Sequence, residues 1–159
     1  MGIGVRKTER EDADVLLRLI VALAVYEKLS PPDEDAQRRL VRDLFAKRPR
    51  VESMLAELDG VPVGYTFFFE TYSTFLALPT LFLEDLFVLP EYRGKGAGSA
   101  LFRAMAELAH TRGCGRMEWT VLDWNQPSID FYERFGAKRS SEWLPYRLTR
   151  EELPPVFQR

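Results

Sequence analysis

Hydrophobic positions change period repeatedly along the chain, and each change marks an element. "IGVRKT" (residues 3–8) alternates apolar and polar residues like a short first strand. Thr8 with Glu11 three residues on has the form of a capping box, and a helix is expected through "DADVLLRLIVALAVYEKL" (12–29). Val15, Leu16, Leu19, Ile20, Leu23 and Ala24 make its apolar stripe, and Ser30-Pro31-Pro32 ends it. A second amphipathic helix covers "DEDAQRRLVRDLFAK" (33–47), with Leu40, Leu44 and Phe45 on one side and Pro49 closing it.

The period then shortens to two. "VESMLAEL" alternates, Asp59-Gly60 is a hairpin signal, and "VPVGYTFFFETY" continues an antiparallel meander. "TLFLEDLFVL" is the next strand and ends at Pro90. A glycine loop opens the helix "GSALFRAMAELAHTRG", with Leu101, Met105 and Leu108 in its stripe and Gly113 as its terminal glycine. "RMEWTVL" is another strand, Asn125 to Phe135 a short helix with Pro127 in its first turn, and "AKRSSEWLPYRL" one or two last strands. The pattern is α+β, with helices packed on a mostly antiparallel central sheet, in one domain spanning 1–159.

Composition narrows the function classes. Charges nearly cancel, with 22 Lys+Arg against 24 Asp+Glu, so no global basic field points to a nucleic-acid partner. No apolar run reaches the roughly 18 residues of a membrane span, and "MGIGVRKTERED" lacks a signal-peptide pattern, so a cytoplasmic protein without membrane attachment is expected. Arg6 stands where a myristoylation motif wants Ser or Thr. A single cysteine, Cys114, excludes an internal disulfide, and one His with one Cys does not make the usual zinc set, so no metal is expected. A Cys114–His110 nucleophile lacks a third orienting group, and His110 reads instead as a partner of its own helix end.

The candidate chemistry lies in "LEDLFVLPEYRGKGAGSALF" (83–102). Gly94, Gly96 and Gly98 alternate just before a helix, where unshielded N–H groups and the helix dipole favour an anion, with Arg93 and Lys95 beside them. The loop lacks the Gly-Lys-Ser/Thr ending of a nucleotide P-loop. It also lacks the G-x-G-x-x-G spacing of a dinucleotide fold, and it follows antiparallel strands. A phosphate or pyrophosphate is the expected ligand.

Arg93-Gly94-Lys95-Gly96-Ala97-Gly98 resembles the acetyl-CoA pyrophosphate loop of the GNAT superfamily of N-acetyltransferases. "LAVYEKL", "TYST", "LEDLFVLPEYRGKGAGS" and "VLDWNQPSIDFYERFGA" bring the resemblance closer to the diamine (spermidine/spermine) and thialysine acetyltransferase branch, from about Val5 to Leu148. The resemblance implies a GNAT-like acyl-CoA N-acyltransferase fold that takes acetyl-CoA and a small primary amine and forms a homodimer. Backbone groups around Leu86, Phe87 and Val88 would then pair with the pantetheine arm. Amides of Gly94, Lys95, Gly96, Ala97, Gly98 and Ser99 would hold the pyrophosphate, and Asn125, Gln126, Pro127 and Ser128 would complete the cofactor site. Tyr132 takes the place of the family's general acid, although the spacing of "IDFYERF" fits a core aromatic equally well.

Glu84 and Asp85 sit inside an apolar strand, and simple alternation sends them to opposite faces. Within the resemblance Glu84 binds the cationic substrate and, through water, helps remove the amine proton, while Tyr26, Glu27 and Asp85 add to an acidic wall. A base is needed because an alkylammonium of pKa about 10.4 is neutral in only about one molecule in 2,500 at pH 7. The polyamine-preferring members carry an acid after the tyrosine that matches Tyr72, whereas this chain reads Tyr72-Ser73-Thr74-Phe75, closer to the thialysine side. The end, "SEWLPYRLTREELPPVFQR", departs from the family, and Pro145 implies an edge or bend. An acyl-CoA-binding regulatory module and a protein lysine or N-terminal acetyltransferase stand as the alternatives.

Overall fold

The computed structural model describes residues 2–153; Met1 and residues 154–159, and with them the two ends of the expected domain, lie outside the described residues. The chain forms two compact units, divided between Thr120 and Val121.

The first unit is built on a five-stranded sheet in the order β1-β2-β3-β4-β5. The strands are β1 (Ile3–Lys7), β2 (Glu52–Leu58), β3 (Val61–Ser73), β4 (Leu78–Val88) and β5 (Arg116–Trp119). The first four pair antiparallel and β5 joins β4 in parallel, which agrees with a mostly antiparallel sheet. The Asp59-Gly60 turn joins β2 to β3 with both residues at positive φ, 51° and 81°, as a tight hairpin demands.

Helices α1 (Ala13–Tyr26), α2 (Glu34–Leu44) and α3 (Ala97–Thr111) bury their stripes against the sheet. Leu16, Leu19 and Ile20 of α1 and Leu44 of α2 pack with Leu55, Tyr65, Phe67 and Phe87. Ala97 and Leu101 of α3 pack with Ala56, Val63 and Val88. Leu55 and Ala56, like Phe87 and Val88, are sequence neighbours in different clusters, so α1 and α3 cover opposite faces. Fully burying a side chain the size of Leu16 or Leu101 stabilises by about 1.5–3 kcal/mol, and both have almost no exposed surface.

Three sequence expectations change. Thr8 does not cap α1: its hydroxyl donates to Ser53 Oγ at 2.8 Å, tying β1 to β2. A short 3-10 turn at Arg10–Asp12 intervenes, and the Glu9 N–H donates to Asp12 Oδ2 instead. Second, α1 stops at Tyr26, before the prolines; Lys28 takes positive φ and the Leu29 N–H returns to the Ala24 carbonyl, a Schellman-type closure. Third, β5 ends at Trp119, and no strand forms over residues 137–148 among the described residues. Pro145 cannot donate to a ladder, and Trp143, Leu144, Tyr146 and Leu148 are exposed.

The second unit contains α4 (Gln126–Arg134), begun by Asn125, whose side-chain oxygen accepts from the Ser128 N–H at 3.4 Å. Pro127 occupies the first turn, where its missing N–H leaves no gap. Gly136, at φ +84°, closes it. Among the described residues no helix is long and apolar enough to cross a membrane.

Candidate active site

The site grows from an irregularity in β4. Leu83 faces Phe68 and Asp85 faces Phe67, so Glu84 is an extra residue with no partner on β3. A bulge of this kind reverses the alternation beyond it. Strict alternation would send Asp85 to the face of Leu83; instead it shares the α1 face with Phe67 and Phe87. One acid turns outward and the other inward, as expected, but the strand is not regular: the bulge makes Asp85 the inward one. Glu84 is exposed, Asp85 is mostly buried, and the charges of Glu84 and Glu27 both act on Asp85.

Glu27 arrives there because α1 stops one residue earlier. Tyr26, its last residue, packs against Phe87 with ring centroids 6.2 Å apart. Burial raises the Glu27 carboxyl above its ordinary pKa. Asp85 is pushed up to about 6, chiefly by burial; the charges of Glu84 and Glu27 add to this, and a hydrogen bond from the Tyr65 hydroxyl opposes it. That bond spans 3.0 Å to Asp85 Oδ2. Tyr65 is itself held well above its ordinary pKa by burial and by Asp85, so the phenol stays protonated.

Close approach of β3 and β4 supports this corner. A Cβ at Gly64 would lie 2.6 Å from the Phe87 carbonyl oxygen and 2.9 Å from Val88 Cγ2. Only glycine lets the strands meet there. On its other edge β4 pairs with β5 only from Thr80 to Leu83. Glu84, Asp85, Leu86, Phe87 and Val88 thus run beyond the parallel ladder, where their backbone groups are not engaged by β5.

The loop that follows leaves backbone N–H groups unshielded. Gly94 and Gly96 have φ of +75° and +94°, and nothing lies within 4 Å of the space a Gly94 side chain would fill. Gly96 is the residue before α3, no side chain caps that end, and no acid stands in its first turn. Its leading N–H groups, from Ala97, Gly98 and Ser99, keep the donor capacity that suits a phosphate. Gly98 lies within the helix, so two glycines, not three, supply the turn.

Arg93 departs from its expected part as a phosphate cation. Its Nε donates to the Val88 carbonyl at 3.0 Å, and its guanidinium lies 4.3 Å from the Tyr26 ring centre and 5.6 Å from that of Phe87. The side chain clamps the end of β4 to α1. Lys95 Nζ stands 5.2 Å from the Tyr92 ring centre.

In the second unit, Asn125 is buried, Gln126 and Pro127 are exposed, and Ser128 donates its N–H to Asn125. Tyr132 is half-buried, its ring edge-on to Phe131 at 5.2 Å. Cys114 is unsuited to nucleophilic work, because burial, with the Glu70 charge, pushes its thiol pKa up. Among the described residues no group of three or more His, Cys, Asp and Glu is placed to hold a metal ion.

The model of the acetyltransferase (GNAT) family matches residues 21–137. The chain belongs to the GNAT family. It is similar to the thialysine N-epsilon-acetyltransferase of Bos taurus, at 35% identity over 94% of each chain. It is also similar to the L-ornithine N5-acetyltransferase NATA1 of Arabidopsis thaliana, at 40% identity over 72% of this chain and 51% of the relative. Among solved structures, an integron cassette protein from V. cholerae superposes with TM-score 0.82 at 23% identity, covering 96% of both chains. AAC(6')-Iy in complex with a CoA-linked bisubstrate analogue superposes with TM-score 0.74 at 22% identity, over 94% of this chain and 99% of that one. This GNAT chain is an N-acetyltransferase, and acetyl-CoA is the acyl donor of its family.

Sequence reading alone missed Tyr65, Gly64 and the Arg93 clamp. A tyrosine inside "VGYTFFFE" was a usable signal, since a buried phenol needs an acceptor. Which acceptor it finds depends on strand register.

Proposed function

We propose that this GNAT acetyltransferase transfers an acetyl group to a primary amine of a small cationic molecule of the thialysine, diamine or polyamine class, by direct attack in a ternary complex. The observation that carries the reading is the gathering of Glu27, Glu84 and Asp85 beside Tyr26 where β4 leaves its parallel ladder, a few residues before an uncapped anion-binding turn. Three neighbouring carboxylates suit an ammonium group. The absence of an acid after Tyr72, together with the thialysine acetyltransferase relatives, favours a short amine over a long polyamine. The family match runs across the boundary at 120/121, which supports treating residues 1–159 as one catalytic domain.

The co-substrate supplies an acetyl thioester. Amides from Gly94 to Ser99 bind its pyrophosphate, with Lys95 adding charge, and the backbone around Leu86, Phe87 and Val88, beyond the β5 ladder, aligns the pantetheine arm. Asn125, Gln126, Pro127 and Ser128 complete the cofactor contacts. Direct contact with a carboxylate would raise the amine pKa and disfavour the neutral nucleophile. Glu84, the exposed residue of the bulge, therefore takes the proton through an intervening water. Tyr132, whose phenol can act as an acid, returns a proton to the departing thiolate.

Thiol release from acetyl-CoA with thialysine, lysine, putrescine, spermidine and short peptides tests this. Turnover with one small amine, reduced on the order of 10²-fold in Glu84→Gln and in Tyr132→Phe, is the expected result. CoA binding with no amine turnover above hydrolysis refutes it in favour of a binding module, and turnover confined to the peptides identifies a protein acetyltransferase.

A further inference from the structure

Tyr65 is fully buried in the core under α1, edge-on to Phe87 with centroids 6.4 Å apart. Apolar packing alone would be served by phenylalanine; the hydroxyl is what distinguishes the site. It donates to Asp85 Oδ2 at 3.0 Å. Register explains the meeting: Tyr65 faces Phe87 and Phe67 faces Asp85, so Tyr65 is the diagonal cross-strand neighbour of Asp85. The bulge at Glu84 turns Asp85 to this face.

Asp85 is thus surrounded on a definite set of sides. Tyr65 approaches from β3, Glu84 adjoins it on β4, and Glu27 comes from the end of α1. Tyr26, also from α1, lies under the Arg93 guanidinium, which is bound to the Val88 carbonyl. Burial and two like charges oppose ionisation of Asp85, and the Tyr65 hydroxyl supports it.

We propose that Tyr65 is a positioning residue for amine capture: its hydroxyl holds Asp85 ionised and oriented, so that the wall formed with Glu27 and Glu84 presents a third negative charge at neutral pH. The inference rests on the acidic wall being the amine site. The hydrogen bond matters because Asp85 titrates close to working pH, at about 6. A group with an unperturbed carboxylate pKa would stay ionised at pH 7 with or without the bond; this one would not.

Two measurements on wild type, Tyr65→Phe, Asp85→Asn and the double variant test it. The first is a carbon-13 NMR titration of the aspartate carboxyls, which reads Asp85 without any turnover. The Asp85 midpoint is expected to rise by about one pH unit in Tyr65→Phe. The second is kcat/KM against pH, from 5.5 to 8.5, for the best amine of the panel. Tyr65→Phe should lose about eightfold at pH 5.5 and about threefold at pH 6.5, and the gap should close at pH 8.5. In the Asp85→Asn background the step near pH 6 should vanish, and Tyr65→Phe should add no pH-dependent change. An unmoved Asp85 midpoint, or a loss by the same factor at every pH, overturns the proposal. So does a step near pH 6 that survives unchanged in Asp85→Asn, a comparison that remains decisive if Tyr65→Phe does not fold. If no amine turns over in wild type, the acetyl-transfer reading for small amines falls, and the NMR midpoint alone decides the hold of Tyr65 on Asp85.

Discussion

Two groups of carboxylates gathered at the same sheet, one of them joined by Glu27 from the end of α1, have been treated oppositely. Glu52 on β2 and Glu70 on β3 meet Arg112 at the end of α3: its guanidinium donates to both Glu52 oxygens at 2.7 and 2.8 Å and to Glu70 at 3.3 Å, over the Phe68 ring. Arg112 holds the Glu52 carboxyl below its ordinary pKa. At the bulge, Glu84 and Glu27 stand with Asp85, and what acts on Asp85 is burial, like charge and one phenol. The first cluster closes on itself and ties three elements together. Among the described residues no cation pairs with the second group, which is an arrangement stability alone does not select.

The contrast predicts opposite responses to mutation, and the largest is expected at Asp85. Its pKa of about 6 in the folded chain lies above the ordinary 3.8. A raised carboxyl favours folding only while protonated, so wild type loses stability as pH climbs from about 4 through 6, and the penalty is complete above that. The shift corresponds to about 3 kcal/mol at pH 7. Asp85→Asn keeps an oxygen for the Tyr65 hydroxyl and removes the charge. It should therefore unfold at higher urea than wild type at pH 7, by up to about 3 kcal/mol, and match wild type near pH 4, while acetylating amines more slowly. Equal stability at both pH values would place Asp85 among ordinary solvated acids and erase the contrast.

Why the sequence conveys one cluster's purpose better than the other's structure is a matter of register. The meander, the Asp59-Gly60 hairpin, the glycine loop and the helix after it are all encoded locally, by period and turn chemistry, and all are present. The bulge is not: "LFLEDLFVL" reads as simple alternation, and the two-against-one pairing of Glu84 exists only once Phe67 and Phe68 are in place. For the same reason the Tyr65 bond to Asp85, twenty residues away, and the Arg112 bond to Glu52, sixty away, have no local signal. The candidate loop and acids were legible as residue types through family resemblance. Their mutual geometry was not. The expected last strand failed differently, because alternation around Pro145 promises a ladder that a missing N–H does not support.

A smaller effect of opposite sign belongs to Arg112→Gln. The side chains of Arg112 and Glu52 are about a third and a quarter exposed, so solvent and salt screen the pair, and the loss is about 1–2 kcal/mol rather than that of a buried bridge. Because the Glu52 pKa is depressed from 4.5, its contribution is present above that value and fades as pH falls through the folded pKa. Wild type and Arg112→Gln should therefore differ most near neutral pH and converge on acidification. Added salt should also shrink their difference, whereas the gain in Asp85→Asn should be much less sensitive to salt. A salt-independent loss in Arg112→Gln would mean that stacking on Phe68, not charge, dominates there.

The smallest effect is read at Cys114, which senses both ends of the compensated cluster. Burial raises its thiol pKa, the Glu70 charge raises it further, and Arg112 lowers it. Glu70→Gln removes one exposed contact at 3.3 Å and should change stability by only a few tenths of a kcal/mol. The same substitution should make the thiol easier to ionise, so alkylation at about pH 8.5 should quicken by about twofold, while Arg112→Gln should slow it by a similar factor. Opposite shifts would show two charges acting on one thiol through a shared electrostatic environment. Parallel acceleration in both variants would instead mean that the cluster acts by keeping the corner closed, and that its charges matter to Cys114 only through packing.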